Sequence, residues 1–179
     1  MKVLGISGSL RRDSHNTALL RNAPLELELW DDLKAIPPYD EDDDVEPAPP
    51  AVARMRAAVA GADAILFATP EYNASVPGQL KNAVDWLSRP YATSALRNKP
   101  VAVVGASTGA FGAVWAQAEL RKVLATAGAR VAEGEVAVGH AQERFGADGT
   151  LLDENLREQL HEVVQALLVE VAPRVLAAA

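Results

Sequence analysis

The stretch Pro70–Pro90, PEYNASVPGQLKNAVDWLSRP, decides how the chain is read. It begins where an apolar run ends. Ala62–Thr69 (ADAILFAT) has the length and the β-branched and aromatic content of a buried strand. Pro70 has no amide hydrogen to give to a sheet ladder, so the strand stops there. A helix opens at Val76-Pro77-Gly78, with Pro77 suited to the first helical position, where a missing N–H costs little. Leu80, Val84 and Leu87 recur at helical spacing as one apolar stripe, Lys81 and Asp85 sit on another face, and Pro90 keeps the helix from running on. Glu71–Ser75 is then a strand-to-helix loop at the carboxyl end of a strand, where open α/β sheets bind ligands.

The start of the chain repeats this arrangement. Val3–Ser7 (VLGIS) reads as a buried strand running into Gly8-Ser9-Leu10-Arg11-Arg12-Asp13-Ser14-His15-Asn16-Thr17 and the apolar helical start Ala18-Leu19-Leu20. Hydroxyls, backbone amides, a helix N-terminus and a guanidinium converge there, which makes an anion site, with phosphate the usual occupant. The rest of the chain continues the alternation. A short helix spans Asn16–Asn22, and Pro24–Leu29 alternates as a half-exposed strand near an edge. A helix over Ala51–Ala60 ends at Gly61. Val101–Gly105 is the fourth strand, followed by a loop (Ala106–Gly112) and a helix over Ala113–Ala127. Arg130–Val138 is a fifth strand broken by Gly134, a polar loop follows, and an amphipathic helix spans Asp153–Val171 with Leu156, Leu160, Val164, Leu167 and Leu168 inward. Strands alternating with helices specify a parallel doubly-wound α/β sheet, and the length is that of one domain, residues 1–179.

Composition narrows the class further. Apolar residues make up 49% and charged residues 23%, an ordinary globular balance. The net charge of −7, without a Lys/Arg cluster, argues against nucleic acid or an anionic membrane as partner. Any anion site must therefore be made locally. There is no cysteine, so thiolate chemistry is excluded. No apolar run approaches the roughly 20 residues that span a bilayer, and the N-terminus enters a strand directly without a leader pattern, so a cytoplasmic location is expected. The acidic run Asp40–Glu46 lacks the spacing of a calcium loop and reads as a solvated loop. No histidine pair has metal-ligand spacing, and no metal site is expected.

Gly8–Leu20 (GSLRRDSHNTALL) and Pro70–Trp86 (PEYNASVPGQLKNAVDW) together resemble the two signature loops of the NADPH-dependent FMN reductase family. That family has a flavodoxin-like fold and includes reductases of free flavin, quinones, chromate and azo dyes. The likeness continues through Val101–Leu124. It implies a three-layer α/β/α fold with a five-stranded parallel sheet in the order 2-1-3-4-5. It implies FMN as cofactor, with Ser9, Arg11, Ser14, Asn16 and Thr17 around the phosphate, and Pro70, Glu71, Tyr72 and Asn73 along the isoalloxazine ring, mainly through main chain. Ser107, Thr108 and Gly109 would lie near the pyrimidine side. NADPH, or NADH, would deliver hydride through the flavin to a small-molecule acceptor in a ping-pong sequence, with no side chain required as nucleophile or acid. The acceptor pocket would combine Tyr72, Asn73, Ala110–Phe111 and a partner subunit of a homodimer or homotetramer. One departure stands out: the segment from Asn16 to Trp30 is shorter than the family's, so the first helix should make only about two turns.

Two other functions fit parts of the sequence. Gly105-Ala106-Ser107-Thr108-Gly109 matches G-x-S-x-G, the nucleophile elbow of serine hydrolases, with Asp148 or Asp153 and then His161 completing a triad order. That reading leaves Glu71–Asn73 unexplained and needs His161 to leave the face of a helix. A flavodoxin-like electron carrier or flavin sensor, without nicotinamide turnover, shares the fold. The remaining histidines carry little: His15 adjoins the first loop, and His140 reads as a surface or capping residue.

Overall fold

The computed structural model describes residues 1–177. Its sheet is built from β1 (Val3–Ser7), β2 (Glu28–Trp30), β3 (Ala64–Thr69), β4 (Pro100–Ala106), β5 (Arg130–Val131) and β6 (Ala137–Val138). Every described pairing is parallel, in the order β2-β1-β3-β4-β5, with β6 also on β4. The helices are α1 (His15–Arg21), α2 (Pro50–Gly61), α3 (Gly78–Leu87), α4 (Val114–Thr126), α5 (Ala141–Arg144) and α6 (Glu154–Ala177).

The three central strands are buried at every position because both faces are covered. Alternation of side chains divides them between two cores. Leu4, Ile6, Ile65, Phe67, Val101 and Val103 face α2, α3 and α4. Val3, Ala64, Leu66, Ala68, Ala102 and Val104 face α1 and α6. This is the flavodoxin-like three-layer arrangement that the family resemblance implies, with its switch point between β1 and β3, where the strand order reverses.

The edges depart from the sequence reading. Only Glu28 and Leu29 of the alternating Pro24–Leu29 segment pair with β1, and the strand continues one residue past it, in register Leu4↔Glu28, Gly5↔Leu29 and Ile6↔Trp30. The leucines still pack on the α1–α6 core, which is what their alternation reports. The fifth strand is two dipeptides, because Glu133-Gly134-Glu135 loops out to solvent with Gly134 at φ 111°. Pro77 precedes α3 as its cap, with ψ 134°, rather than occupying the first turn. The segment Ala141–Arg144, read as loop, is one helical turn, and α6 runs to Ala177. The first helix has seven residues, the two turns expected.

The acidic loop is fastened to this framework. Arg56 of α2 pairs with Asp44 at 2.8 Å and lies over the Trp86 ring at 5.7 Å. Trp86, buried in α3, donates its indole N–H to the Pro37 carbonyl at 2.9 Å and meets Tyr39 edge-on. Trp86→Ala is expected to destabilise the protein by about 3–5 kcal/mol, from the cavity and the lost contacts. Urea unfolding followed by circular dichroism measures it.

Candidate functional site

The loops after β1, β3 and β4 meet at the carboxyl end of the sheet. They enclose a cleft of about 110 Å³ lined by Ser9, Arg11, His15, Asn16, Pro70, Glu71, Tyr72, Ala106, Ser107 and Thr108. A second hollow of about 400 Å³, lined by Gly8, Leu10, Arg11, Tyr72, Pro77, Gly78 and Gln79, adjoins it across Arg11 and Tyr72. Eight of the twelve residues singled out from sequence thus line one cleft. Ser14, Thr17, Asn73 and Gly109 flank it without lining it.

The first loop is shaped by its own hydroxyls. Ser7 Oγ accepts from the Ser9 amide and Ser9 Oγ from the Arg11 amide. Ser14 caps α1, accepting from the Thr17 amide at 3.1 Å, and its hydroxyl keeps its own proton to donate. Asn16 is buried, and both ends of its amide are engaged by the third loop. Its Nδ2 donates to the Ala106 carbonyl and its Oδ1 accepts from the Ala106 amide, each at 2.9 Å. Asn16 therefore fixes the distance between the first and third loops. Arg11 is exposed and has no carboxylate partner among the described residues, and Asp13 does not line the cleft.

The second loop is a two-residue hairpin. Tyr72 and Ser75 exchange both backbone hydrogen bonds at 3.1 Å, with Asn73 (φ 53°) and Ala74 (φ 58°) left-handed at its tip. Glu71, expected from the resemblance to line the ring mainly through main chain, has a further role. Its Oε2 accepts from the Trp115 and Ala116 amides at 3.0 Å each, capping α4 across the loops. Sequence held one clue: the residues before α4 (Ala110-Phe111-Gly112-Ala113) include no side chain able to cap it, so its first amides need an outside acceptor. On the other side of the hairpin, Glu119 Oε2 accepts from Ser75 Oγ at 2.6 Å and from the Val76 amide at 3.2 Å. These bonds, the Ser75 hydroxyl foremost, hold the Glu119 carboxyl below its ordinary range.

The third loop lies on β6 too closely for side chains. A Cβ on Gly112 would come 2.3 Å from the Ala137 carbonyl carbon, and one on Gly139 would come 2.2 Å from the Ala110 oxygen. Tyr72, Phe111 and Trp115 stand exposed beside the cleft, the last two in edge contact at 5.0 Å.

The serine hydrolase reading fails on this geometry. Ser107 Oγ accepts from the Gly109 amide, and α4 starts only at Val114, so there is no strand-to-helix elbow. His161 is exposed on α6, Asp153 pairs with Arg144, and Asp148 bonds Thr150. Among the described residues no metal-binding cluster of acids and histidines is present, and no helix is long and apolar enough to cross a membrane.

A parallel sheet of this order, with an unpaired arginine, hydroxyls and apolar walls at its switch point, defines a flavodoxin-like protein with a cleft suited to an anionic ligand. Known proteins agree. The family model of the NADPH-dependent FMN reductases matches residues 1–143. An NAD(P)H-dependent FMN reductase of Pseudomonas aeruginosa is 46% identical over 174 residues, 93% of each chain. A 2-hydroxy-1,4-benzoquinone reductase of a Burkholderia species is 40% identical, covering 89% of this chain and 90% of that one. The solved structure of FerB, a flavoenzyme NAD(P)H:(acceptor) oxidoreductase from Paracoccus denitrificans, superposes with a TM-score of 0.81 at 35% identity, covering 96% of this chain and 97% of that one. The chain belongs to the NADPH-dependent FMN reductase family and is an oxidoreductase that uses FMN and NAD(P)H. Family membership sets aside the carrier and sensor reading along with the hydrolase.

His15 lines the cleft with its ring stacked on Phe145 at 5.6 Å. Burial first, and the Arg11 charge second, hold its pKa below the ordinary 6.5. The folded state therefore binds fewer protons than the unfolded chain just below pH 6.5, and stability falls as pH drops through that window. An NMR titration of the flavin-free protein should place the His15 midpoint below 6.5. In Arg11→Ala the midpoint should rise only part of the way back, because burial remains.

Proposed function

We propose that FMN lies across the cleft with its phosphate in the Ser9–Thr17 loop and its ring between the Glu71–Asn73 hairpin and Ser107–Gly109. The observation that carries this reading is the convergence of an unpaired Arg11 with Ser9 at one end of a cleft whose other walls are Pro70, Tyr72 and the Ala106–Thr108 backbone. This donor set suits a phosphate dianion joined to a planar, partly apolar ring. Ser14 and Thr17 complete the phosphate end from the first turn of α1, and Asn16 serves by holding Ala106 in place.

When bound, the flavin supplies the hydride acceptor and donor that no side chain here provides. The protein's part is to bind and orient. Arg11 gives a charge-assisted contact to phosphate. The amides of Glu71 and Asn73, which have no acceptor within the described chain, face the ring edge, whereas the Tyr72 amide is taken by the hairpin. Fixed N–H donors there favour negative charge on a reduced ring. A nicotinamide and then the acceptor occupy in turn the open side beside Tyr72 and Phe111. Quinones are the acceptor class we infer, supported by a 40%-identical relative named as a benzoquinone reductase and by plant relatives of 36–37% identity named as NADPH:quinone oxidoreductases. A single domain over residues 1–179, acting in the cytoplasm, accords with this reading.

Arg11→Ala should weaken FMN binding by one to two orders of magnitude, from the loss of about 1.5–3 kcal/mol. Riboflavin, which lacks the phosphate, should bind both proteins equally in a fluorescence titration. Equal FMN affinity for both proteins would remove the phosphate assignment.

We further infer a homodimer or homotetramer in which Phe111 and Trp115 meet a partner subunit, since both are large, apolar and exposed beside the site. Light scattering should show an oligomer that Phe111→Asp dissociates.

A further inference from the structure

We propose that Glu71 and Glu119 are positioning residues which together clasp the Tyr72–Ser75 hairpin onto α4 and so fix the backbone that faces the flavin ring; the inference rests on the site reading given above. The hairpin needs such support. Left-handed Ala74 lacks both the freedom of glycine and the local hydrogen bonds of Asn or Asp that make this conformation tolerable. A conformation of this kind persists where the surroundings over-determine it. Here the surroundings are one helix gripping both ends of the hairpin. Glu71, immediately before it, binds the Trp115 and Ala116 amides. Glu119, about one turn further along α4, binds the Ser75 hydroxyl and the Val76 amide immediately after it.

The two carboxylates gain from each other's placement. α4 begins after a left-handed Ala113 that cannot cap it, so its N-terminus carries unsatisfied amides and partial positive charge. Glu71 supplies the missing acceptor. The same bonds hold a negative charge against a helix N-terminus, although its residue lines a cleft that receives an anion. Glu119 does not line the cleft, so removing it loosens the hairpin without altering charge at the ring.

The test has two parts. In the flavin-free protein, Glu71→Ala and Glu119→Ala should speed hydrogen exchange at the Tyr72, Ser75 and Val76 amides by at least tenfold, with Ile65 and Phe67 in β3 unchanged. In the FMN-loaded protein, Glu119→Ala should move the flavin midpoint potential to a more negative value and lower kcat several-fold, with KM for NAD(P)H within about twofold of wild type. Glu119→Gln, which keeps an acceptor oxygen, should fall between Glu119→Ala and wild type, and it carries the test if the alanine variant does not fold. Unchanged exchange at the three hairpin amides overturns the clasp. Faster exchange with an unchanged potential overturns its action on the ring. Failure of wild-type protein to bind FMN overturns the site reading and the action on the ring together, while the exchange measurement still decides the clasp.

Discussion

The site depends on the pair of hydrogen bonds between the Asn16 side chain and the Ala106 backbone. The first loop leaves β1 and the third leaves β4, two strands that are not neighbours because β3 lies between them. Sheet registry fixes where the strands end but not how far the loops lean toward each other. A buried amide that uses its donor and its acceptor on Ala106, the last residue of β4 from which the third loop departs, sets that distance. Leaving either Ala106 group unpaired would cost about 1–3 kcal/mol, so the closed spacing is strongly preferred. A cleft whose width is set this way can present Ser9 and Arg11 on one wall and Ser107 and Thr108 on the other at constant separation.

The second loop is held by a different means. It relies on strained backbone gripped by charge. The left-handed alanines 74 and 113 sit at the two ends of the contact between the hairpin and α4. For an L-residue this conformation costs roughly 1–2 kcal/mol at each position. Strain beside a ligand cleft is what a fold tolerates where position matters more than stability. The third loop is held by close packing, with Gly112 and Gly139 admitting backbone where no Cβ fits. Three loops are thus held by three kinds of interaction, all made within the chain itself.

The central sheet was legible because strands buried on both faces read as unbroken apolar runs, as in Ala64–Thr69 and Val101–Gly105. The edges were less legible. The leucines of Pro24–Leu29 alternate because they pack on α1 and α6, and that pattern is the same whether or not the backbone pairs with β1. Most of the lining residues were also legible, since polar loops that follow buried strands can point only to one end of the sheet. The partners of those residues were not. Asn16 looks like a ligand by sequence, and its engagement with Ala106 spans 90 positions that no local pattern reports. Glu71 looks like a surface charge until α4 is seen to start without a cap of its own.

The charge distribution ties these features to the chemistry. A chain of net charge −7 repels the anionic ligands it must take up, so attraction has to be local and short-ranged. In the proposed site Arg11 provides it, unopposed by any carboxylate partner in the described chain, while the Glu71 carboxylate at the cleft is turned onto the α4 amides. The polar machinery is thereby devoted to holding one ligand in one orientation. In that reading the open side is left to Tyr72 and Phe111, flat side chains whose one polar group is the Tyr72 hydroxyl. Such a surface selects partners mainly by planarity and reach, which suits the proposed alternation of a nicotinamide and a small-molecule acceptor.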